Sequence, residues 1–344
     1  MLFCLALVAG LMPKAQGQGP EISAASAIVM TGGGQVLFEK NADSKALVAS
    51  TTKLMTALVI MDKCALSEPV KIPESCCGIE GSSMGLLPGS VYTVRELLLG
   101  MLLVSGNDAA SALACHAAGS EKAFAAMMMR KAKSLGMDSS AFVNPHGLDA
   151  PGHYSTARDM AKLMIACMED EDLAELLSLQ NASVHGRKLK NHNKLLWELP
   201  GCTGGKTGYT RAAGRCLVSS CRRKELDCVC VTLGAPDDWR DHSRLYDWSY
   251  GECRTLDAWQ GWSYELPVVS GDKDSVSLLP GEKKELYLPP GSKAEIRAEV
   301  PHFVFAPIEK GETGGRSWYI IDEKPVGECP LVYEDSVGPE PLPG

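Results

Sequence analysis

The sequence predicts a mixed α and β fold in two parts, a large helix-and-strand domain followed by a small all-β domain. Three observations carry that expectation. Apolar residues recur at helical spacing in several stretches between residues 50 and 168, the period of an amphipathic helix. Residues 204 to 234 change to runs rich in Val, Leu and Cys, a composition suited to strands. From Trp262 onward short apolar runs alternate with turns such as Pro280-Gly281 and Pro289-Pro290-Gly291, the pattern of a separate β module.

Taken in order, the elements begin with an apolar run from Leu2 to Met12. Its length suits a signal peptide and is too short for a bilayer-spanning helix. Ala15-Gln16-Gly17 places small residues where a signal peptidase reads. Residues 1–19 are therefore expected to be an export leader, although the usual basic start is missing; the rival reading is a buried N-terminal strand or helix. Cys4 lacks a lipoprotein-like context, so no lipid anchor is expected.

Residues 22 to 40 read as a hairpin, with Ile28-Val29-Met30 and Val36-Leu37-Phe38 joined by Thr31-Gly32-Gly33-Gly34. A helix opens near Ser50 and carries Leu54, Met55, Leu58 and Val59 on one face. Thr93-Val94-Arg95-Glu96 has the form of a capping box ahead of the apolar run Leu97 to Val104. Ser105-Gly106-Asn107 interrupts that run, and a helix resumes over Asp108 to Ala118. Further helices are expected at Ser120 to Gly136, Thr156 to Met168 and around Arg240 to Trp248, with strands at Arg215 to Ser220 and Asp227 to Leu233. The large domain spans 20–258 and the β domain 262–335; the Pro-rich end, 336–344, is expected to be disordered.

The 344 residues, 45% hydrophobic and 22% charged, suit an ordinary globular protein. A net charge of -8 argues against nucleic acid as the main partner, because phosphate binding needs clustered Lys and Arg. It gives no attraction to anionic lipid. Thirteen cysteines are many for an exported chain. Cys76-Cys77 are adjacent, and Cys228 and Cys230 share one face of a strand; neither is a metal-ligand spacing. They read as small buried apolar residues. His146 and His153, seven apart, do not form a zinc pattern either and are expected to shape a loop.

Three short motifs carry the chemistry: Ser50-Thr51-Thr52-Lys53, Ser105-Gly106-Asn107 and Lys206-Thr207-Gly208. A second Ser-x-x-Lys at Ser270-Gly271-Asp272-Lys273 shows that the first motif is weak alone. Context separates them: residues three apart on a helix share a face, and only Ser50 is followed by a helix-forming run. A serine hydroxyl needs a neighbour to take its proton. Lys53 can do this as a neutral amine, which burial and a second cation at Lys206 would favour. Ser105 would relay protons, Asn107 would hold a substrate amide, and Lys206 with Thr207 would face a carboxylate. The ordered trio is the set found in penicillin-interacting serine enzymes.

With its motifs and their surroundings, the chain resembles the D-alanyl-D-alanine carboxypeptidase family of low-molecular-mass penicillin-binding proteins, especially Gram-positive members. The matching stretches are Ala49 to Thr56, Gly81-Ser82-Ser83-Met84, Ser105 to Ala110, Asn144 to Asp149, His153 to Ala157 and Gly205 to Thr210, with Ser275 to Gly281 in the β domain. The resemblance covers about 22 to 333. It implies the α/β (α+β) penicillin-binding-protein and β-lactamase-like transpeptidase fold, an antiparallel sheet with a helical subdomain. It makes Ser50 the acylated nucleophile and Lys53 its base, with Ser105 the third catalytic group. Asn107, Lys206, Thr207 and Gly208 become substrate-binding, and the backbone N–H groups of Ser50 and Tyr209 an oxyanion hole. Arg240 falls, after a one-residue gap, where the family keeps an arginine near the carboxylate site. The implied partners are peptidoglycan peptide stems, with β-lactam antibiotics as covalent inhibitors, outside the cytoplasmic membrane. No metal or organic cofactor is implied, and no membrane-anchoring helix is evident.

Rival readings are weighed on the same residues. A phosphate loop needs four residues between its first glycine and Gly-Lys, then a helix; Gly201 leaves three, and a strand follows. A β-lactamase of one class needs a water-activating glutamate, with no clear equivalent between Ser105 and Lys206. A D,D-endopeptidase would use the same residues. A silent wall-binding protein would not need a nucleophile together with its base.

Overall fold

The computed structural model describes residues 4–9, 19–257, 261–282 and 285–340. They divide into a unit of residues 19–251 and a second formed by the N-terminal segment with residues from 252 onward.

The first unit is built on a five-stranded antiparallel sheet in the order Val36–Lys40, Ser26–Thr31, Leu226–Leu233, Gly214–Arg223, Cys202–Thr210. Every residue of Ser26–Thr31 is buried, as expected of a strand covered on both faces. The two covers can be named. Ser219 and Thr232 bond to His242 of helix Asp238–Glu252, whereas Ser220 on the opposite face bonds to Met168 of helix Ala157–Glu169. The latter helix buries Met160, Leu163, Met164 and Cys167, one apolar stripe at the 3.6-residue period.

Helix α1 (Lys53–Met61) is buried from Lys53 to Ile60 and is surrounded by α2 (Val94–Leu103), α3 (Asn107–Ala118) and α4 (Glu121–Ser134). Its side chains are mostly apolar, as suits a central helix, and the polar Lys53 and Thr56 both have hydrogen-bond partners. The predicted capping box is present: Thr93 Oγ1 accepts from the Glu96 N–H while the Glu96 carboxylate accepts from the Thr93 N–H. Ser120 caps α4 and Thr156 caps the helix that follows it. The structure adds a helix at Glu171–Ser178, capped by Asp170, and a hairpin of Asn181–Val184 with Arg187–Lys190.

The second unit holds a seven-stranded sheet, ordered Cys4–Ala9, Ala294–Val300, Thr313–Ile321, Lys324–Tyr333, Ser275–Pro280, Tyr264–Val269, Val304–Phe305. Its core includes Leu266, Val276, Leu278, Ala298, Val300 and Leu331, so the expected β domain has a core of its own. The N-terminal segment contributes an edge strand, Cys4 opposite Val300 through Ala9 opposite Glu295; residues 1–3 and 10–18 of the expected leader lie outside the described residues.

The expectation of a disordered end from 336 is corrected as far as residue 340. Val337 is buried and exchanges backbone hydrogen bonds with Ile308, the Gly338 N–H donates to Asp272, and the Glu340 N–H donates to Ser270. One apolar side chain with a place in the core outweighs the surrounding prolines. Residues 341–344 lie outside the described residues. The second Ser-x-x-Lys is the turn it was expected to be: Ser270 has a positive φ of 58°, and Lys273 pairs with exposed Asp335.

Candidate active site

Ser50 sits in a 3-10 turn, Ala49–Thr52, that runs directly into α1. With three residues per turn, such a turn stacks residues i and i+3, which brings Lys53 beside Ser50. Lys53 Nζ lies 2.8 Å from Ser50 Oγ and donates to Asn107 Oδ1 and the His146 carbonyl, both at 2.7 Å. The side chain has no solvent exposure. Burial first, and the Lys206 cation second, hold its pKa well below the ordinary lysine value, against an opposing pull from Asp108. A neutral amine has two N–H donors and one lone pair. In that form the Asn107 and His146 carbonyl oxygens would take the two donors, and the lone pair would face Ser50 Oγ.

The break between α2 and α3 supplies the next two groups. Ser105 takes a left-handed conformation, φ 61°, the kind of strain found where neighbouring structure over-determines the backbone. The turn points Ser105 Oγ to within 3.1 Å of Lys206 Nζ and starts α3 at Asn107. Asn107 also donates to the Glu80 carbonyl at 2.6 Å. The adjacent buried Asp108 carboxylate accepts from Ser83 Oγ and the N–H groups of Met84, Gly85 and Leu86 at 2.7–3.0 Å. The Gly81-Ser82-Ser83-Met84 segment is thus hung on the start of α3, and Ser82 faces the cleft.

Lys206, Thr207 and Gly208 lie on Cys202–Thr210, the edge strand of the sheet. Lys206 is buried, its Nζ donates to the Thr207 carbonyl at 2.8 Å, and burial lowers its pKa to about 7. Gly208 is needed for close approach: a Cβ there would lie 3.0 Å from the Val48 carbonyl oxygen and 3.1 Å from the Ser50 nitrogen. The strand therefore runs against the turn that carries Ser50.

The resulting cleft, about 520 Å³, is lined by Ser50, Ser105, Thr207, Gly208 and the exposed Tyr209. The structure brings together Ser50, Lys53, Ser105, Asn107 and Lys206 as the spacing predicts. Arg240 is not brought in. Its guanidinium is 63% exposed, lies 3.8 Å from Asp237, and is not among the lining groups. Its neighbours Asp238 and Trp239 face the cleft instead.

The arginine that does line it is Arg215, with His192 nearby. Arg215 stands opposite Tyr209 on the neighbouring strand, with Nη1 3.5 Å from Asp238 Oδ1. Neither Arg215 nor His192 belongs to a motif that marks it in the linear sequence. Reading 202 to 223 as a hairpin would have placed Arg215 directly across from Tyr209.

His146 and His153 shape the loop as expected. Lys53 uses the His146 carbonyl; the Val143 N–H donates to His153 Nδ1, leaving His153 Nε2 to donate to Thr52 Oγ1 at 2.9 Å. Burial, helped by His146, lowers the His153 pKa to about 4.

A family model described as D-alanyl-D-alanine carboxypeptidase matches residues 13–237, and one described as the C-terminal domain of penicillin-binding protein 5 matches 261–339. The chain is 33% identical over 349 residues to D-alanyl-D-alanine carboxypeptidase DacC of Escherichia coli strain K12, covering 93% of this chain and 86% of that one. It is 29% identical over 322 residues to DacF of Bacillus subtilis strain 168, covering 88% and 83%. Penicillin binding protein 5 from Haemophilus influenzae superposes with a TM-score of 0.77 at 31% identity, covering 96% of this chain and 100% of the other.

The fold, a transpeptidase-type domain followed by a β-rich domain, is that of the low-molecular-mass penicillin-binding proteins. Within that class, the chain belongs to the D-alanyl-D-alanine carboxypeptidase family.

Proposed function

We propose that this protein is a serine-type D-alanyl-D-alanine carboxypeptidase that removes the terminal D-alanine from peptidoglycan pentapeptide stems. The observation that carries the reading is the fully buried Lys53, whose Nζ lies 2.8 Å from Ser50 Oγ and is held there by Asn107 and the His146 carbonyl. Ser50 Oγ attacks the carbonyl between the last two D-alanines as Lys53 takes its proton. The N–H groups of Ser50 and Tyr209 stabilise the oxyanion, and Asn107 holds the substrate amide. Lys53 and Ser105 return the proton to the departing amine. Water, activated the same way, then hydrolyses the acyl-enzyme.

Lys206 and Thr207 face the terminal carboxylate, and Arg215, which lines the cleft, takes the part that the family resemblance implied for Arg240. A β-lactam follows the first half of this course and leaves Ser50 blocked. The apolar run at residues 2–12 supports export and action at the cell wall; among the described residues no helix is long and apolar enough to cross a membrane.

The test is intact mass after penicillin treatment, with D-alanine release from a pentapeptide in parallel. One covalent adduct, lost in Ser50→Ala together with D-alanine release, is expected. An adduct that survives Ser50→Ala sinks the assignment. Rapid penicillin turnover without D-alanine release marks a β-lactamase, and release only from cross-linked peptides marks an endopeptidase.

A further inference from the structure

We propose that Cys64, Glu68 and His116 form a binding site for one divalent transition-metal ion of the zinc class, away from the catalytic cleft. The three side chains offer Sγ, a carboxylate oxygen and an imidazole nitrogen, all within 4.8 Å of one another. These are the donor types that zinc selects, and three of them with a water complete a tetrahedron. Bonds of about 2.0–2.3 Å to one ion place neighbouring donors roughly 3.3–3.8 Å apart, so small side-chain movements suffice. His116 Nε2 and Glu68 Oε2 are already 3.1 Å apart.

The surroundings hold the ligands in place. The Cys64 N–H donates to the Ile60 carbonyl and the Glu68 N–H to the Ala65 carbonyl. The peptide groups of Leu66 and Glu68 accept from the N–H groups of Arg95 and Val94, which pins the loop to the start of α2. The other Glu68 oxygen, Oε1, accepts from the Ala65 N–H at 2.6 Å, orienting the carboxylate in the way that outer hydrogen bonds orient metal ligands. His116 stands in the last turn of α3. A simpler reading takes Glu68 and His116 as a surface ion pair, with side chains 42% and 26% exposed. That pair accounts for two groups but gives no reason for a thiol at the third corner.

A thiol must give up its proton to ligate a metal. Binding forms an S–metal bond and releases that proton to solvent, as metal coordination of a thiol requires. The ion would join the far ends of two helices whose near ends carry Lys53 and Asn107. His116 is about 13 Å along the α3 axis from Asn107 at 1.5 Å per residue. At that distance the ion would not touch the reacting groups, and the hydrolytic reaction does not need it.

The test uses the reduced, chelator-treated full chain titrated with Co2+, followed by thiolate-to-cobalt charge-transfer absorption, and with Zn2+ in competition with a chromophoric chelator. One equivalent is expected, with about one proton released per ion. Cys64→Ser abolishes the charge-transfer band, and His116→Ala and Glu68→Gln weaken Zn2+ binding at least tenfold. All three variants keep metal-free acylation by penicillin unchanged, which shows them folded. A band that survives Cys64→Ser, equal Zn2+ affinity in wild type and His116→Ala, or no binding at micromolar metal overturns the site. The test is independent of D-alanine release, so its failure leaves the proposed reaction standing.

Discussion

Replacing Gly147 by alanine tests how tightly the catalytic turn is seated. Gly147 has a φ of +85°, and a Cβ there would lie 1.9 Å from the Ala49 carbonyl oxygen. Real Cβ contacts essentially never fall below 3.0 Å, so the carbonyl must retreat by about 1 Å. The Ala49 carbonyl and the Ser50 N–H share one peptide plane, and moving one swings the other. The shift would turn an expected oxyanion donor and disturb the 2.8 Å approach of Ser50 to Lys53.

A misplacement of about 1 Å costs on the order of 100-fold in rate; left-handed backbone at an alanine adds about 1–2 kcal/mol to the folding cost. Gly152 in the same loop separates the two effects, since its φ is +81° but its Cβ would meet nothing closer than 4.0 Å. The assay is the rate of Ser50 acylation by penicillin, with thermal unfolding in parallel. Both variants should melt earlier, but only Gly147→Ala should acylate about 100-fold more slowly. Acylation within threefold of wild type in Gly147→Ala, or equal slowing in Gly152→Ala, would refute the reasoning.

Further expectations concern charge. Arg215→Ala should lower the second-order rate of D-alanine release about tenfold, the value of one hydrogen bond to a charged group, with Arg240→Ala within about twofold; steady-state kinetics giving the reverse order would restore Arg240. Asp108→Asn turns an amide toward backbone N–H donors and should cost about 1–3 kcal/mol, read as a lower urea midpoint. Lys206→Gln removes a cation that lowers the Lys53 pKa, so the acid limb of acylation at saturating penicillin should move to higher pH; an unmoved limb argues against coupling of the two lysines. His242 and His153 are buried, with pKa values lowered from 6.5 to about 3 and about 4. Below pH 6.5 the unfolded chain therefore binds the extra protons, and stability falls as pH drops. Each should cost about 2–3 kcal/mol at pH 4.5 relative to pH 7.5, and His242→Asn should remove its share from urea titrations at the two pH values.

What could be read from the sequence was governed by how local the determinant is. Ser50 and Lys53 are a single turn apart, and the Thr93–Glu96 capping box spans four residues; such relations survive in a linear pattern. The interruption at Ser105-Gly106-Asn107 was equally visible as a break in an apolar run. Arg215 was not, because its place in the cleft follows from the pairing of two strands. Arg240 illustrates the converse: alignment put an arginine at the right distance along the chain, but on a helix Asp238 and Trp239 face the cleft and the next residue turns outward. The hairpin of Asn181–Val184 and Arg187–Lys190 has only four residues per strand, mostly exposed, too few for a period-two signal. The ordering of Val337 depends on Ile308, far away in the chain.

The depressed pKa of Lys206, about 7, makes the cleft's proton content depend on what occupies it. A value that low brings both protonation states of the amine within reach near neutral pH. A carboxylate entering beside it favours the charged form and draws a proton from solvent. Ligand affinity should therefore weaken as pH rises through 7, and calorimetry in buffers of different ionisation enthalpy would record a fractional proton taken up on binding. In the unliganded protein, burying the amine trades fixed charge for charge that arrives with the anion.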